Sequence, residues 1–207
     1  MLPAGPAIPP SAEAAITAVV LAGGASRRMG TDKALLRVGG ERLVDRQARR
    51  LHEAGVARVL VSIGDRPSSA WPLPAGTSAV PDPGPDLGPA GGILAAFEDL
   101  GTPWLGVVAV DLPGLGVDWL RRLFALRDGA VGIVPESGGR LEPLVALYPA
   151  VAAEPLRRRI RSGDLSVQAW VREGLQDGWM RTWPQSPPDA ATLLNWNRPG
   201  EWMEPTG

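Results

Sequence analysis

Short apolar segments with β-propensity alternate along this chain with segments of helical periodicity, and this alternation restricts the fold more than any other feature. Residues 16–21, ITAVVL, form a continuous apolar run, which is typical of a parallel strand buried on both faces. Apolar residues then recur near helical spacing from Leu43 to Ala54, and Gly55 is typical of a helix end. A second strand is predicted over residues 59–63. The order strand, loop, helix, strand predicts a right-handed parallel crossover.

The same alternation continues towards the C-terminus. Further strands are predicted over residues 78–80, 105–110, 130–134, 144–148 and 179–183. Helices are predicted over residues 91–100, 117–126 and 152–171, the last with a break at residues 162–163. Strands that alternate with helices predict an α/β fold with a mostly parallel sheet. Residues 1–15 are predicted to be a flexible tail, and residues 16–203 a single domain.

Charge balance and missing residue types exclude several classes of function. With 21 basic and 22 acidic residues the net charge is −1, so neither nucleic acid nor a membrane surface is predicted as a partner. The chain has no cysteine and one histidine, His52, so a bound metal would need oxygen ligands, which suits Mg²⁺. No segment approaches the roughly 20 apolar residues of a membrane span, and no signal peptide is recognised. We therefore expect a cytoplasmic protein.

The loop after the first strand, within VLAGGASRRMGTDKALL, has the composition of an anion site. Gly23 and Gly24 leave room for close backbone approach, and successive N–H groups there can face an anion. Arg27, Arg28 and Lys33 add positive charge suited to a triphosphate. The alternative is a tight turn with solvated basic residues, but three cations directly after a buried strand favour the anion site. The loop is neither a Walker loop nor a GxGxxG turn.

Two predicted strands end at aspartate. Asp111 follows the apolar run WLGVVAV, and Asp82 follows the strand that ends in Val-Pro. In open α/β sheets ligands bind beyond the carboxyl ends of the strands, so Asp111 is a candidate magnesium ligand. The alternative for both residues is turn formation, in DLPG and in PDPGPD.

Several motifs together resemble one family. LAGGASRRMGTDKALL resembles the signature loop of the molybdenum cofactor guanylyltransferases. PDPGPDLGPAGGI, VVAVDLPGL, EPLVALY and LLNWNRPGEW resemble later motifs of that family, in the same order. The resemblance spans about residues 16–202 and implies a Rossmann-like three-layer α/β/α fold of the nucleotidyltransferase type.

The resemblance also implies a reaction and its participants. The terminal phosphate of the molybdopterin cofactor would attack the α-phosphorus of GTP in a Mg²⁺-dependent reaction, giving molybdopterin guanine dinucleotide and pyrophosphate. Molybdoenzymes or other cofactor-assembly proteins are further candidate partners. Such a transfer needs positioning and charge neutralisation more than a protein nucleophile.

Site residues are implied one by one by matching positions. Arg28, Lys33 and Asp111 are the implied catalytic residues, with Asp111 as metal ligand. Asn195 and Asn197 are the implied contacts to the pterin substrate, with capping or turning of the chain before Pro199 as the alternative. The implied nucleotide-binding residues are Leu21, Ala22, Gly23, Gly24, Lys33, Ser62, Asp82 and Asp111.

Three positions depart from the family pattern. Ser62 stands where the family often has asparagine, Glu142 where it usually has histidine, and Leu165 where it has a basic residue. An ionised glutamate cannot donate a hydrogen bond to phosphate. By the resemblance, the departures at 142 and 165 both lie in the pterin half of the site.

Two other functions remain open from the sequence. One is cytidylyl transfer to the same cofactor, or another small-molecule nucleotidyl transfer. The cytidylyl relatives tend to carry LAAG where this chain has LAGG, which favours guanine. The other is a non-catalytic nucleotide-binding protein, because a fold alone does not determine function.

Overall fold

The structure is a computed structural model that describes residues 15–23, 33–64, 66 and 72–194. Within this part the chain forms strands and helices in alternation. The strands are β1 (Ile16–Leu21), β2 (Arg37–Val38), β3 (Glu41–Arg42), β4 (Arg58–Ser62), β5 (Thr77–Val80), β6 (Trp104–Ala109), β7 (Gly132–Ser137), β8 (Arg140–Leu141), β9 (Val145–Pro149) and β10 (Met180–Pro184). The helices are α1 (Leu43–Glu53), α2 (Gly88–Glu98), α3 (Val117–Ala125), α4 (Ala153–Arg161), α5 (Val167–Asp177) and α6 (Pro187–Thr192).

One sheet organises the molecule. Its strand order is β10-β7-β9-β6-β1-β4-β5, with β8 paired to β7. Strands β6, β1, β4 and β5 are parallel, and β9 runs antiparallel to both β6 and β7. The prediction of a mostly parallel sheet is confirmed, and β1 lies near its middle. The carboxyl ends of β1, β4, β5 and β6 therefore meet at one edge.

Helices cover both faces of this sheet, which makes the three layers that were predicted. Strand β1 shows why, because its side chains alternate between two cores. Ala18 and Val20 pack with α1 and α3 on one face, while Val19 and Leu21 pack with α2, α4 and α5 on the other. An apolar strand with no polar face is stable only between two helical layers.

Some local structure was not predicted. The hairpin β2–β3 and the helix α6 had no assignment from sequence, and the antiparallel direction of β9 was not foreseen. The predicted helix over residues 152–171 is two helices, α4 and α5, and the predicted break at 162–163 lies in the connection between them. None of the helices in the described ranges is both long and apolar enough to cross a membrane.

Aromatic packing anchors the segment that precedes β9. Tyr148 stacks on Trp170 of α5 with ring centroids 4.5 Å apart. Both residues are fully buried, and the Tyr148 hydroxyl donates a hydrogen bond to the carbonyl of Pro143 at 2.7 Å. The backbone beside Glu142 is thus held against the core rather than free to move.

Candidate active site at the carboxyl edge of the sheet

The loops after β1, β4, β5 and β6 are joined by backbone hydrogen bonds at the carboxyl edge. The Ala22 N–H donates to Ser62 O at 3.1 Å, and the Val110 N–H donates to Leu21 O at 3.3 Å. The Asp82 N–H donates to the carbonyl of Gly64 at 3.0 Å. The strand-end residues predicted from the sequence therefore share one continuous edge.

Lys33 and Asp111 meet at this edge. Lys33 opens a short 3-10 helix, Lys33–Leu35, and Asp111 follows the carboxyl end of β6. The Lys33 Nζ lies 3.6 Å from the Asp111 Oδ2, and each side chain is 20% exposed. Both groups are accessible. The Lys33 ammonium can therefore face the phosphates of a nucleotide, and the Asp111 carboxylate can face the metal ion that accompanies them.

Asp111 is positioned by Gln47, which was not among the site residues predicted from the sequence. Gln47 of α1 is fully buried, and its Nε2 donates to the carbonyl of Leu112 at 2.8 Å. This bond ties the loop that carries Asp111 to the helix α1. A glutamine on the apolar face of an amphipathic helix was the available signal, since a buried polar side chain needs a partner.

Ser62 and Asp82 form a second polar pair beneath the start of α2. The buried Ser62 hydroxyl donates to Asp82 Oδ1 at 3.2 Å. The glycines of α2 make room for this pair. A Cβ on Gly91 would lie 2.9 Å from Asp82 Oδ2, and one on Gly92 would lie 2.3 Å from Ser62 Oγ. Packing against the pair therefore explains Gly92, and for Gly91 the Leu87 Cβ is a still nearer obstacle, at 2.6 Å.

Gly23 also has a packing reason that the sequence did not reveal. A Cβ there would lie 2.7 Å from the backbone nitrogen of Gly64. The close approach at Gly23 is thus between two loops of the protein. Arg66, which was not among the site residues predicted from the sequence, donates to the carbonyl of Ile63 at 3.2 Å and to that of Ala22 at 3.4 Å. It adds a cation next to the glycine loop.

We expect Gly92→Ala to destabilise the fold. The new methyl would meet Ser62 Oγ at 2.3 Å, Ser62 Cβ at 2.9 Å and Leu21 Cδ2 at 3.1 Å, so rotation of the hydroxyl alone does not relieve it. Overpacking costs about 1–3 kcal/mol, which exceeds the gain of up to about 1 kcal/mol in helix propensity. Urea unfolding measures the difference.

Gly84→Ala is the matched control for this substitution. Its Cβ would meet nothing nearer than the Leu87 side chain, at 3.6 Å. A Gly92→Ala protein as stable as Gly84→Ala would show that the space above Ser62 is not needed.

A cavity of about 270 Å³ lies on the other side of Asp111. Its walls come from the end of β6, from the segment before β9 and from the start of α5. The Ala109 N–H donates to Leu144 O at 2.7 Å, which places that segment beside the end of β6. Glu142 lines this cavity, and burial raises the pKa of its carboxyl, an effect that the nearby Arg140 partly opposes.

Four predicted site residues lie outside the described part of the chain: Gly24, Arg28, Asn195 and Asn197. The predicted tail, apart from residue 15, lies outside it as well. Lys33, Ser62, Asp82 and Asp111 are all described, and they form two pairs at the same sheet edge. Leu21 ends β1 at that edge, and Ala22 and Gly23 follow it.

The residues present fit a magnesium ion. Asp111 offers a partly exposed carboxylate at a strand end, and Mg²⁺ commonly takes one or two protein carboxylates while phosphates and water complete its coordination. In residues 15–23, 33–64, 66 and 72–194, no three acidic or histidine side chains cluster closely enough to form a metal cage.

A central sheet between two helical layers, with Lys33 and Asp111 beyond its central parallel strands, is consistent with one class, the nucleotidyltransferases of Rossmann-like fold. Residues 18–178 match the model of the MobA-like NTP transferase domain. The chain belongs to this family, which makes it a transferase.

A named relative supports the family, and solved structures share the fold. A protein from Opitutus terrae, named "Probable molybdenum cofactor guanylyltransferase", is 38% identical over 89% of this chain and 92% of its own length. The molybdopterin-guanine dinucleotide biosynthesis protein A of Archaeoglobus fulgidus has the same fold, with TM-score 0.68, 21% identity and coverage of 90% and 94%. A Mycobacterium tuberculosis protein solved in complex with manganese has TM-score 0.60, 18% identity and coverage of 87% and 98%.

Proposed function

We propose that this protein is a molybdenum cofactor guanylyltransferase, which transfers GMP from GTP to molybdopterin and releases pyrophosphate. The observation that carries the proposal is the pairing of Lys33 with Asp111 at 3.6 Å, on the edge where Ser62 meets Asp82. The family membership and the name of the Opitutus terrae relative support the same reaction.

The nucleotide would lie across the ends of β1, β4 and β5. The loop that begins with Leu21, Ala22 and Gly23, and continues into Gly24, would face the triphosphate. Asp82, held by Ser62, lies beyond β5. When its carboxylate is ionised, both oxygens accept hydrogen bonds and neither donates one. Guanine carries an adjacent N–H and amino group, which two carboxylate oxygens can accept together.

The reaction forms one bond and breaks one. A phosphate oxygen of the acceptor attacks the α-phosphorus of GTP, and the bond from that phosphorus to the bridging oxygen breaks, so that pyrophosphate leaves with the electron pair. Lys33 and Arg28 would neutralise charge on the phosphates and on the leaving pyrophosphate. Magnesium held by Asp111 would supply further charge neutralisation. Asn195 and Asn197 would contact the acceptor.

Titration of the purified protein with GTP, CTP, ATP and UTP, each with Mg²⁺, tests the nucleotide half. We expect GTP to bind at least about 10-fold more tightly than the others, because a guanine-specific hydrogen-bond pair is worth about 1.4 kcal/mol or more. Tighter binding of CTP would replace the proposal with cytidylyl transfer.

Transfer itself is measured as pyrophosphate release that requires both GTP and molybdopterin. The dinucleotide product is identified by mass spectrometry. GTP binding without any release in the presence of molybdopterin would support a nucleotide-binding protein and contradict the proposed enzyme.

A further inference from the structure

The cavity beside Asp111 has mostly apolar walls and one carboxylate. Its volume is about 270 Å³, close to the lower range for small-molecule sites. Most of the lining residues are apolar, among them Pro89, Ala109, Leu144 and Val167. Arg140, Ser166 and Gln168 line the same cavity beside Glu142. Such walls suit the faces of a planar ring. Glu142 is the acidic side chain of the lining, so it can accept hydrogen bonds from N–H groups on the polar edge of that ring.

Glu142 is held in place by its own backbone. Its N–H donates to Pro135 O at 2.9 Å, and its carbonyl accepts from the Val145 N–H at 3.2 Å. The Tyr148 hydroxyl fixes the carbonyl of the next residue, Pro143. A side chain on a backbone fixed at this many points can orient a ligand without a large ordering cost.

Among the described residues, the ionic partner of the Glu142 carboxylate is Arg140, and this pair is weak. The side chain is only 17% exposed, and Arg140, 70% exposed, approaches it at 3.4 Å. Attraction to so exposed a guanidinium is screened by water. The carboxylate therefore bears a desolvation cost, consistent with its raised pKa, and N–H donors of a ligand would offset that cost.

Charge decides which end of an acceptor can face Glu142. A carboxylate repels phosphate, so the phosphate end of an acceptor should lie away from Glu142, on the side of the cavity where the Lys33 ammonium stands beside Asp111. The sheet order supports this direction, because β9 lies directly beside β6. Asp82 stands on the far side, beyond β5. Two carboxylates thus flank the phosphate-binding centre, one on the predicted nucleotide side and one on the cavity side.

We propose that Glu142 binds the ring end of the acceptor, accepting hydrogen bonds from two adjacent N–H groups of a 2-amino-4-oxo heterocycle. The acceptor's phosphate is thereby directed towards the Lys33 ammonium. This inference rests on the proposed function, since it assigns the acceptor's ring to the cavity. This role also explains why position 142 carries a glutamate, because Glu142 contacts the ring of the acceptor and not its phosphate.

Two soluble rings test the inference: 6-hydroxymethylpterin, which has the adjacent N–H and amino group, and 6-hydroxymethyllumazine, which has a carbonyl in place of the amino group. Binding is followed by ligand fluorescence. We expect the wild-type protein to prefer the pterin by about 10-fold, because the lumazine carbonyl would face a carboxylate.

Glu142→Gln should abolish or reverse this preference. The amide offers one acceptor and one donor, which matches the N–H and adjacent carbonyl of the lumazine. Glu53→Gln is the matched control, since Glu53 ends α1, close to the opposite edge of the sheet, and pairs with Arg49. It should retain the pterin preference of the wild-type protein.

Three results would overturn the inference: no measurable binding of either ring, equal binding of both by the wild-type protein, or an unchanged pterin preference in Glu142→Gln. Titration with GTP and Mg²⁺ separates this inference from the proposed function. If GTP binds and molybdopterin-dependent transfer occurs while Glu142→Gln keeps the preference, only the role of Glu142 fails. If neither GTP binding nor transfer occurs, the proposed function fails.

Discussion

Asp111→Asn is expected to lower the rate of guanylyl transfer by about 10³-fold, while GTP without metal binds at least as tightly as to the wild-type protein. The amide keeps the size of the side chain but loses the charge that would hold Mg²⁺. It also removes a negative charge 3.6 Å from the Lys33 ammonium, and that ammonium then attracts phosphate more effectively. Transfer is measured as pyrophosphate release, and binding by calorimetry with Mg²⁺ and with a chelator.

This combination distinguishes a metal ligand from a structural aspartate. A structural role would weaken GTP binding with and without Mg²⁺ to the same degree. Asp118→Asn is the matched control, because Asp118 is 91% exposed on α3 and pairs only with Arg121 in the described residues. A wild-type transfer rate in Asp111→Asn would show that the metal assignment is wrong.

Lys33→Met should lower kcat/KM for GTP by about 10²- to 10³-fold, because the variant loses a positive charge in a partly buried site. Lys33→Arg should recover part of the activity, since it restores the charge but replaces a compact ammonium with a planar guanidinium. Arg37→Met is the control: Arg37 is an exposed cation of the hairpin after Lys33 and donates to Gly40 O. Wild-type kcat/KM in Lys33→Met would contradict its role at the phosphates.

A chemical experiment can test the same site in the unaltered protein. Lys33 is the single lysine among 21 basic residues. Pyridoxal phosphate followed by borohydride should therefore modify this side chain and the N-terminal amine alone. We expect GTP with Mg²⁺ to protect Lys33 but not the N-terminal amine, as read by peptide mass spectrometry. Equal labelling with and without GTP would place the triphosphate elsewhere.

The sequence predicted the fold and part of the site because these depend on local patterns. The run ITAVVL, apolar apart from Thr17, is typical of a strand buried on both faces, and the structure assigns the same residues to β1. The carboxyl ends of parallel strands share an edge, so Asp82 and Asp111 could be placed at one edge before the structure was known. The motif LAGGASRRMGTDKALL placed Lys33 at the same edge.

Other features depend on contacts between distant segments and had no pattern to reveal them. Gly92 and Ser62 are 30 residues apart, yet the space for a serine hydroxyl decides that position 92 is glycine. Gln47 supports a loop that lies 65 residues further along the chain. The direction of β9 is likewise set by its neighbours β6 and β7, not by its own residues.

The sequence by itself determined the alternation of strands and helices, the absence of thiol chemistry and the strand-end positions of the charged residues. Periodicity and residue type are local, so they can be read along the chain. Only the tertiary structure decided the pairing of Lys33 with Asp111, the packing of α2 over Ser62, and the place of Glu142 in an apolar cavity. Each of these depends on distances of a few ångström between segments far apart in sequence, which close packing alone settles.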